Sequence, residues 1–202
     1  MIETEFKKRA LALQRGIETA TGESYNDLTE AVKTVVNKVE KYSIYNELTD
    51  ISFVNNKTIE RIDVYLDLPF FELSDTFKGC SALKYIKGIN LSKCHTINQG
   101  FNGCGVEIIE EPLDLSSLTT NAYNRTFEYN ALLKEVRIVP ETIKVNCIFR
   151  GSNKLSDESI QSIINGLAYV ETAQTLAFHA TVKAKLTAEQ LATITNKNWS
   201  VA

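Results

Sequence analysis

The chain has 202 residues, a formal net charge of −3, ordinary apolar and charged fractions, and four cysteines against two histidines. This length can bury a core and suffices for one domain or two small ones. Mild acidity offers no basic face for nucleic acid, and no run approaches the ~18 apolar residues of a membrane helix.

The opening residues, MIETEFKKRALALQRG, lack the apolar core and small-residue cleavage site of a signal peptide. The chain is therefore expected to stay in the cytoplasm unless a particle carries it out. Phe6, Ala10, Leu13 and Ile17 are spaced four, three and four apart, and Leu28, Val32, Val35, Val39 and Tyr42 continue a heptad-like stripe. Between them Gly22 suits a helix C-terminus, and Ser24 with Asp27 resembles a capping box. Two helices are predicted, over residues 4–20 and 25–42. Their apolar stripe either folds back as a hairpin or meets copies of itself.

From Phe53 the pattern changes. Phe77 and Phe101 follow at intervals of 24, Phe127 after 26 and Phe149 after 22. Each of the first four phenylalanines leads an apolar ladder: Ile59, Ile62, Val64 and Leu66; Leu83, Ile86, Ile89 and Leu91; Val106, Ile109, Leu113 and Leu115; Leu133, Val136 and Ile138. Three residues after the phenylalanine stands Asn56, Cys80, Cys104 or Asn130. A period of 20 to 29 residues with this spacing is the sign of a leucine-rich solenoid. No unit can bury its apolar residues alone, so stacked units build a continuous core and a parallel strand ladder. The phenylalanine should fill the inside of each turn. The cysteine or asparagine should sit in a buried turn, as a packed thiol or a side chain bonded to loop backbone.

After the repeats, Ser156 is read as the cap of a short helix, with Asp157 and Glu158 in its first turn and Ile160, Ile163, Ile164 and Leu167 on its apolar face. TLAFHA reads as a strand with Leu176 and Phe178 inward and His179 opposite. Thr187 and Gln190 form a capping box for a helix containing Leu191 and Ile194, and a last strand holds Trp199 and Val201. The expected organisation is a helical region over 1–44, a solenoid over 45–152 and a capping unit over 153–202. The fold class is an α/β solenoid: a helical pair, a short right-handed leucine-rich repeat and an αβ cap. Such a cap is required because an open end exposes core and strand edges.

DTFKGCSALKYIKGINLS and QGFNGCGVEIIEEPLDLSSLTT resemble BspA-type leucine-rich repeats, whose units read roughly F-x-x-C-x-x-L-x-x-(I/V)-x-L. RGIETATGESYNDLTEAV and the block from LSDESIQSIINGL to the end resemble segments of Firmicutes phage and prophage tail-associated proteins. The resemblance covers most of the chain. It departs from the pattern at Phe127, where Asn130 replaces cysteine and Val139-Pro140 breaks the strand, and the Phe53 unit is partial. It implies a non-enzymatic virion component, tail-associated, that presents a recognition surface to a protein or host cell-surface ligand. Residues 1–44 would join other virion proteins or further copies of the chain. It also implies an alternative, a cell-surface or secreted BspA-like adhesin.

Chemistry is sparse. His95, placed in a loop after a repeat strand, and His179 leave few options for a Ser-His-Asp set. Cys94-His95 is one adjacent pair where a zinc site needs two, so no metal or cofactor is expected. Cys80 and Cys104 should lie near each other on adjacent turns, yet as free thiols. Glu107, Glu110, Glu111 and Asp114 read as a solvated acidic face. Asn-x-Ser/Thr triplets at Asn56, Asn90, Asn124 and Asn198 carry no secretory meaning here. What remains is surface. Neighbours of inward strand residues point outward, which selects Arg61, Asp63, Tyr65, Tyr85, Lys87, Ile108, Glu110, Glu135 and Arg137 as a candidate binding face. Ordinary cross-strand pairing is the alternative use of the same residues.

Overall fold

The phenylalanines explain the fold. In a computed structural model that describes residues 53–63, 71–118 and 125–202, their rings form one column. Phe53 stacks on Phe77 at 5.8 Å between centroids, Phe77 on Phe101 at 5.4 Å, Phe101 on Phe127 at 5.6 Å and Phe127 on Phe149 at 4.7 Å. Phe77, Phe101, Phe127 and Phe149 are fully buried. Phe178 then continues the column at 6.1 Å with its ring tilted by 37°.

Phe77, Phe101 and Phe127 are each held by a tight turn with left-handed backbone on both sides, and Phe53 has it on the following side. Two residues before the phenylalanine, Asp75, Gln99 and Arg125 have φ of 56°, 54° and 59°. Two residues after it, Asn55, Gly79, Gly103 and Tyr129 have φ of 60° to 69°. Glycine enters this region without steric cost, whereas a residue with a Cβ pays ~1–2 kcal/mol. This is the physical reason for F-x-G-C in two units. The amides of successive turns donate to the next unit in fixed places. Phe53 N–H donates to Thr76 O, Phe77 to Gly100 O and Phe101 to Thr126 O; Asn55, Gly79 and Gly103 donate to Lys78, Asn102 and Glu128 carbonyls.

The position three residues after the ring joins the units. The Cys80 thiol donates to Phe53 O at 3.0 Å, the Cys104 thiol donates to Phe77 O, and the Ser152 hydroxyl donates to Phe127 O at 3.3 Å. Asn130 uses the same place differently: its Oδ1 accepts from Cys104 N–H at 2.9 Å. Cys80, Cys94, Cys104 and Cys147 are all buried free thiols. Burial pushes the Cys94 and Cys147 thiols up to about 12 and raises Cys80 and Cys104 as well. They stay protonated and unreactive at neutral pH.

The strands are short and parallel. β1 (Arg61–Asp63), β3 (Tyr85–Lys87) and β5 (Ile108–Ile109) form one sheet in that order, and β2 (Phe71–Glu72) pairs with β4 (Cys94–Thr96). β6 (Cys147–Phe149), β7 (Gln174–Phe178) and β8 (Trp199–Val201) form a third sheet. The ladder residues Ile59, Ile62, Leu83, Ile86, Ile89, Leu91, Val106, Ile109, Leu113, Leu115, Leu133, Val136 and Ile138 are buried in one continuous core. The architecture is thus a mixed α/β one with short parallel sheets. Everything described belongs to one unit, Ile44–Ala202. The two helices expected before Tyr42, and Val64, Tyr65, Leu66 and Asn124, lie outside the described residues.

The C-terminal elements follow their local signals. α1 (Asp157–Gly166) is capped by Ser156, whose side chain accepts from Ser159 N–H, and it buries Ile160, Ile163 and Ile164. α2 (Ala180–Lys183) is short, and α3 (Ala188–Asn196) starts at a complete capping box of Thr187 and Gln190. Ile194 is buried, whereas Leu191 is exposed. Trp199 is buried with its indole N–H donating to Ala168 O at 2.8 Å. Two local expectations change. β7 ends at Phe178 and buries Ala177 along with Leu176 and Phe178, so strict alternation fails on a strand covered on both faces. His179 is not on that strand; it caps α2, its Nδ1 accepting from Thr181 N–H.

Candidate ligand-binding face

Three strands of the first sheet line up in register. Arg61 sits beside Tyr85, Tyr85 beside Ile108, and Ile108 bridges to Glu135. This makes one outward row. The next inward row is Ile62, Ile86 and Ile109, all buried. Asp63 pairs with Lys87 in the same register, and the exposed Lys87 begins a second outward row. Lys87 lies 3.7 Å from the Glu110 carboxylate, and the Arg137 guanidinium donates to Glu110 O. A strand period of two puts both outward rows on the same face.

The sequence-selected residues are therefore brought together, apart from Tyr65, which lies outside the described residues. Many are also ordinary cross-strand partners. The Arg61 guanidinium lies 3.8 Å above the Tyr85 ring, a cation–π contact. Tyr85 and Ile108 are half-buried, while Lys87, Glu135 and Arg137 are exposed.

A further ladder runs at the entry of the strands. Lys84 N–H donates to Glu60 O, Glu107 N–H to Lys84 O and Lys134 N–H to Glu107 O, so charge alternates from unit to unit. The Lys134 ammonium reaches the Glu107 carboxylate at 2.8 Å, and that hydrogen bond holds the Glu107 carboxyl below the usual range. The acidic cluster is thus more than a solvated face. Glu107 and Glu110 pair with neighbouring units, Glu111 accepts from Gly88 N–H at 2.6 Å, and Asp114 accepts from Ser116 N–H at 2.9 Å. Off this face, Glu128 is buried with Arg125 at 3.3 Å and Arg150 at 3.9 Å.

At its far end the face meets α1. Among the described residues no strand pairs beyond residues 134–138 on this side. Instead Ser159 Oγ accepts from Val136 N–H at 3.0 Å and donates to Lys134 O at 3.1 Å. Ser162 Oγ accepts from Ile138 N–H at 2.9 Å, and Ser156 N–H donates to Lys134 O at 2.9 Å. Serines three apart on a helix share one side, which is the signal that a reading centred on capping passes over. The step from sheet to helix leaves a groove of about 350 Å³. It is lined by Ile108, Ile109 and Glu110, by Glu135 and Arg137 of the neighbouring segment, and by Ser156, Glu158 and Ser159 at the start of α1.

The remaining candidate groups are scattered. His95 lies on β4, not in a loop, and His179 caps α2. Among the described residues no group of three or more His, Cys, Asp or Glu could hold a metal ion, and no helix is long and apolar enough to cross a membrane. No protein-family model matches the chain, and comparison with curated proteins and with solved structures gives no match.

Proposed function

We propose that the chain is a non-enzymatic leucine-rich-repeat protein of BspA type, whose solenoid presents the strand face as a recognition surface. We further propose that it serves as a tail-associated component of a phage or prophage particle. The observation that carries the binding role is the outward row Arg61–Tyr85–Ile108–Glu135. Half-buried Tyr85 and Ile108 stand between rows of paired charge, an apolar centre with a polar rim, which is the anatomy of a protein interface. Stacked phenylalanines and the cross-unit thiol bonds make the surface rigid, which lowers the ordering cost of binding. The particle role rests on the resemblance of both chain ends, with residues 1–44 for attachment.

Two measurements test this. Particles purified from the source of the gene should contain the chain, and the gene should lie beside tail, baseplate, holin and lysin genes. Particles without it, and a gene elsewhere, overturn the particle role; a chain found anchored on the bacterial surface points to the adhesin. Separately, labelled chain should bind host cells, and Tyr85→Ser/Ile108→Ser should abolish that binding. Equal binding by the variant overturns the face.

A further inference from the structure

We propose that the groove where the strand face meets α1 docks a lysine or arginine side chain of a partner polypeptide, with a neighbouring aliphatic residue seated on Ile108. This rests on the binding-face reading and names the chemistry of its partner.

Shape comes first. Along the face, successive strands offer a shallow ridge of side chains. At the end, the start of α1 and the strand face together line a groove of about 350 Å³ that includes the half-buried Ile108. That volume suits a single long side chain and its neighbour, not a folded surface.

Charge decides the occupant. Lys87 is held by Glu110 at 3.7 Å and Lys134 by Glu107 at 2.8 Å. Arg61 is laid over Tyr85, and Arg137 donates to the Glu110 carbonyl. Glu135, from the segment after β5, and Glu158, from α1, both line the groove, and among the described residues no ion pair holds either carboxylate. With Glu110 paired to Lys87, the two carboxylates outweigh the Arg137 guanidinium in the same lining, and the net negative charge complements a cation. An anionic occupant is disfavoured. The first turn of α1, which would attract one, already carries Asp157 and Glu158, and its Ser159 N–H is taken by the Ser156 side chain.

Of the two cations, arginine can bridge both carboxylates, while lysine meets them as a point charge. Both carry an aliphatic stem that can lie along Ile108. The hydrophobic contact and the charge pair then reinforce each other, because an apolar stem over Ile108 keeps water from the carboxylates.

The test is a selection of random linear peptides, about twelve residues long, displayed against the immobilised full chain. Wild type, Glu135→Gln/Glu158→Gln, Glu135→Lys/Glu158→Lys and Tyr85→Ser/Ile108→Ser are compared, after urea unfolding confirms that each is folded. The proposal expects enriched peptides with Lys or Arg beside an aliphatic residue. Their affinity should fall at least about tenfold with the glutamine pair and weaken with added salt. The lysine pair should instead enrich acidic peptides, a gain that loss of folding cannot imitate. Peptides that need Tyr85 and Ile108 but ignore both glutamates overturn the groove and leave the face standing. Peptides that ignore all four residues, or no enrichment over the Tyr85→Ser/Ile108→Ser variant, overturn both. Self-association of the wild type at ~100 μM that the glutamine pair abolishes would make the occupant a second copy and overturn the partner named here.

Discussion

The two sides of the repeat end differently, although they face the same physical problem. On the phenylalanine side the stack runs on: β6 is followed by β7 and β8 in parallel register, and Phe178 extends the ring column. On the strand-face side the ladder stops at residues 134–138, and hydroxyls of α1 accept and donate where a strand would have. An open edge invites pairing with another chain. Strand addition continues the surface and moves the edge to β8, the last strand of its sheet. Serine substitution occupies the edge and leaves a groove. The difference teaches that one end of a stacked core can finish in two ways, once by repetition and once by a side-chain device that also shapes a site.

The largest effect should come from breaking the column. Phe127→Ala removes a fully buried ring stacked 4.7 Å from Phe149 and 5.6 Å from Phe101, and should cost about 3–5 kcal/mol in urea unfolding. Phe53→Ala, at a half-buried ring with one described neighbour, should cost clearly less. Equal costs would mean that the column is not the continuous support described. On the other side, Ser159→Ala leaves the Val136 N–H without its hydroxyl partner and Lys134 O with the Ser156 N–H alone. It should cost about 1–3 kcal/mol and speed hydrogen exchange at the Val136 amide. Unchanged exchange there would show that the serines do not hold the edge.

The same contrast explains what could be read from the sequence. The phenylalanine interval, the buried ladder, the shared place of Cys80, Cys104 and Asn130, and the helix caps at Ser156 and Thr187 are each written locally, as one residue type at a fixed offset. The outward rows followed from strand period alone. The serine edge was hidden because Ser159 and Ser162 look like ordinary polar helix residues until their partners, about 24 residues earlier, are known. Ser152 is the fourth member of the cross-unit set and escapes the pattern because serine matches neither cysteine nor asparagine, although its hydroxyl does the same work as the thiols. Charge alternation among Glu60, Lys84, Glu107 and Lys134 was legible in principle, once the units were aligned one residue earlier. His179 was misplaced because its strand ends one residue sooner, where its own ring caps the next helix.

Smaller effects test the turns. Gly103 and Tyr129 occupy equivalent left-handed places, with φ of 63° and 62°. A Cβ at Gly103 would meet nothing within 4 Å, so Gly103→Ala isolates the backbone cost, about 1 kcal/mol. Tyr129 is 63% exposed, so Tyr129→Gly gives up little contact and should stabilise by somewhat less than ~1 kcal/mol. Opposite signs in thermal unfolding are expected. Destabilisation by both would mean that the exposed Tyr129 ring makes contacts that matter more than its backbone.

The smallest expected effect lies on the strand face, where the charges alternate. Glu107 has its carboxyl held below the ordinary range, first by the hydrogen bond from Lys134 and then by that ammonium's charge, with Lys84 contributing from the other side. A folded-state value below the unfolded one adds stability that is present above the unfolded pKa and is lost as pH falls through the folded one. Lys134→Met should therefore flatten the acid limb of the stability curve below about pH 4.3 and leave the neutral and alkaline parts nearly parallel. An exchanged pair, Glu107→Lys/Lys134→Glu, separates a local contact from a ladder. If Glu107 and Lys134 act alone, exchanging them restores the wild-type curve. In a ladder the new lysine at 107 faces Lys84 across the neighbouring strand, so like charges meet and the exchange stays less stable than wild type. Adding Lys84→Glu should then recover part of the loss, because it restores alternation between those two units, while Glu60 becomes the new mismatch. Full recovery by the exchanged pair alone would reduce the row to separate contacts and remove electrostatic register from the reasons these units stack as they do.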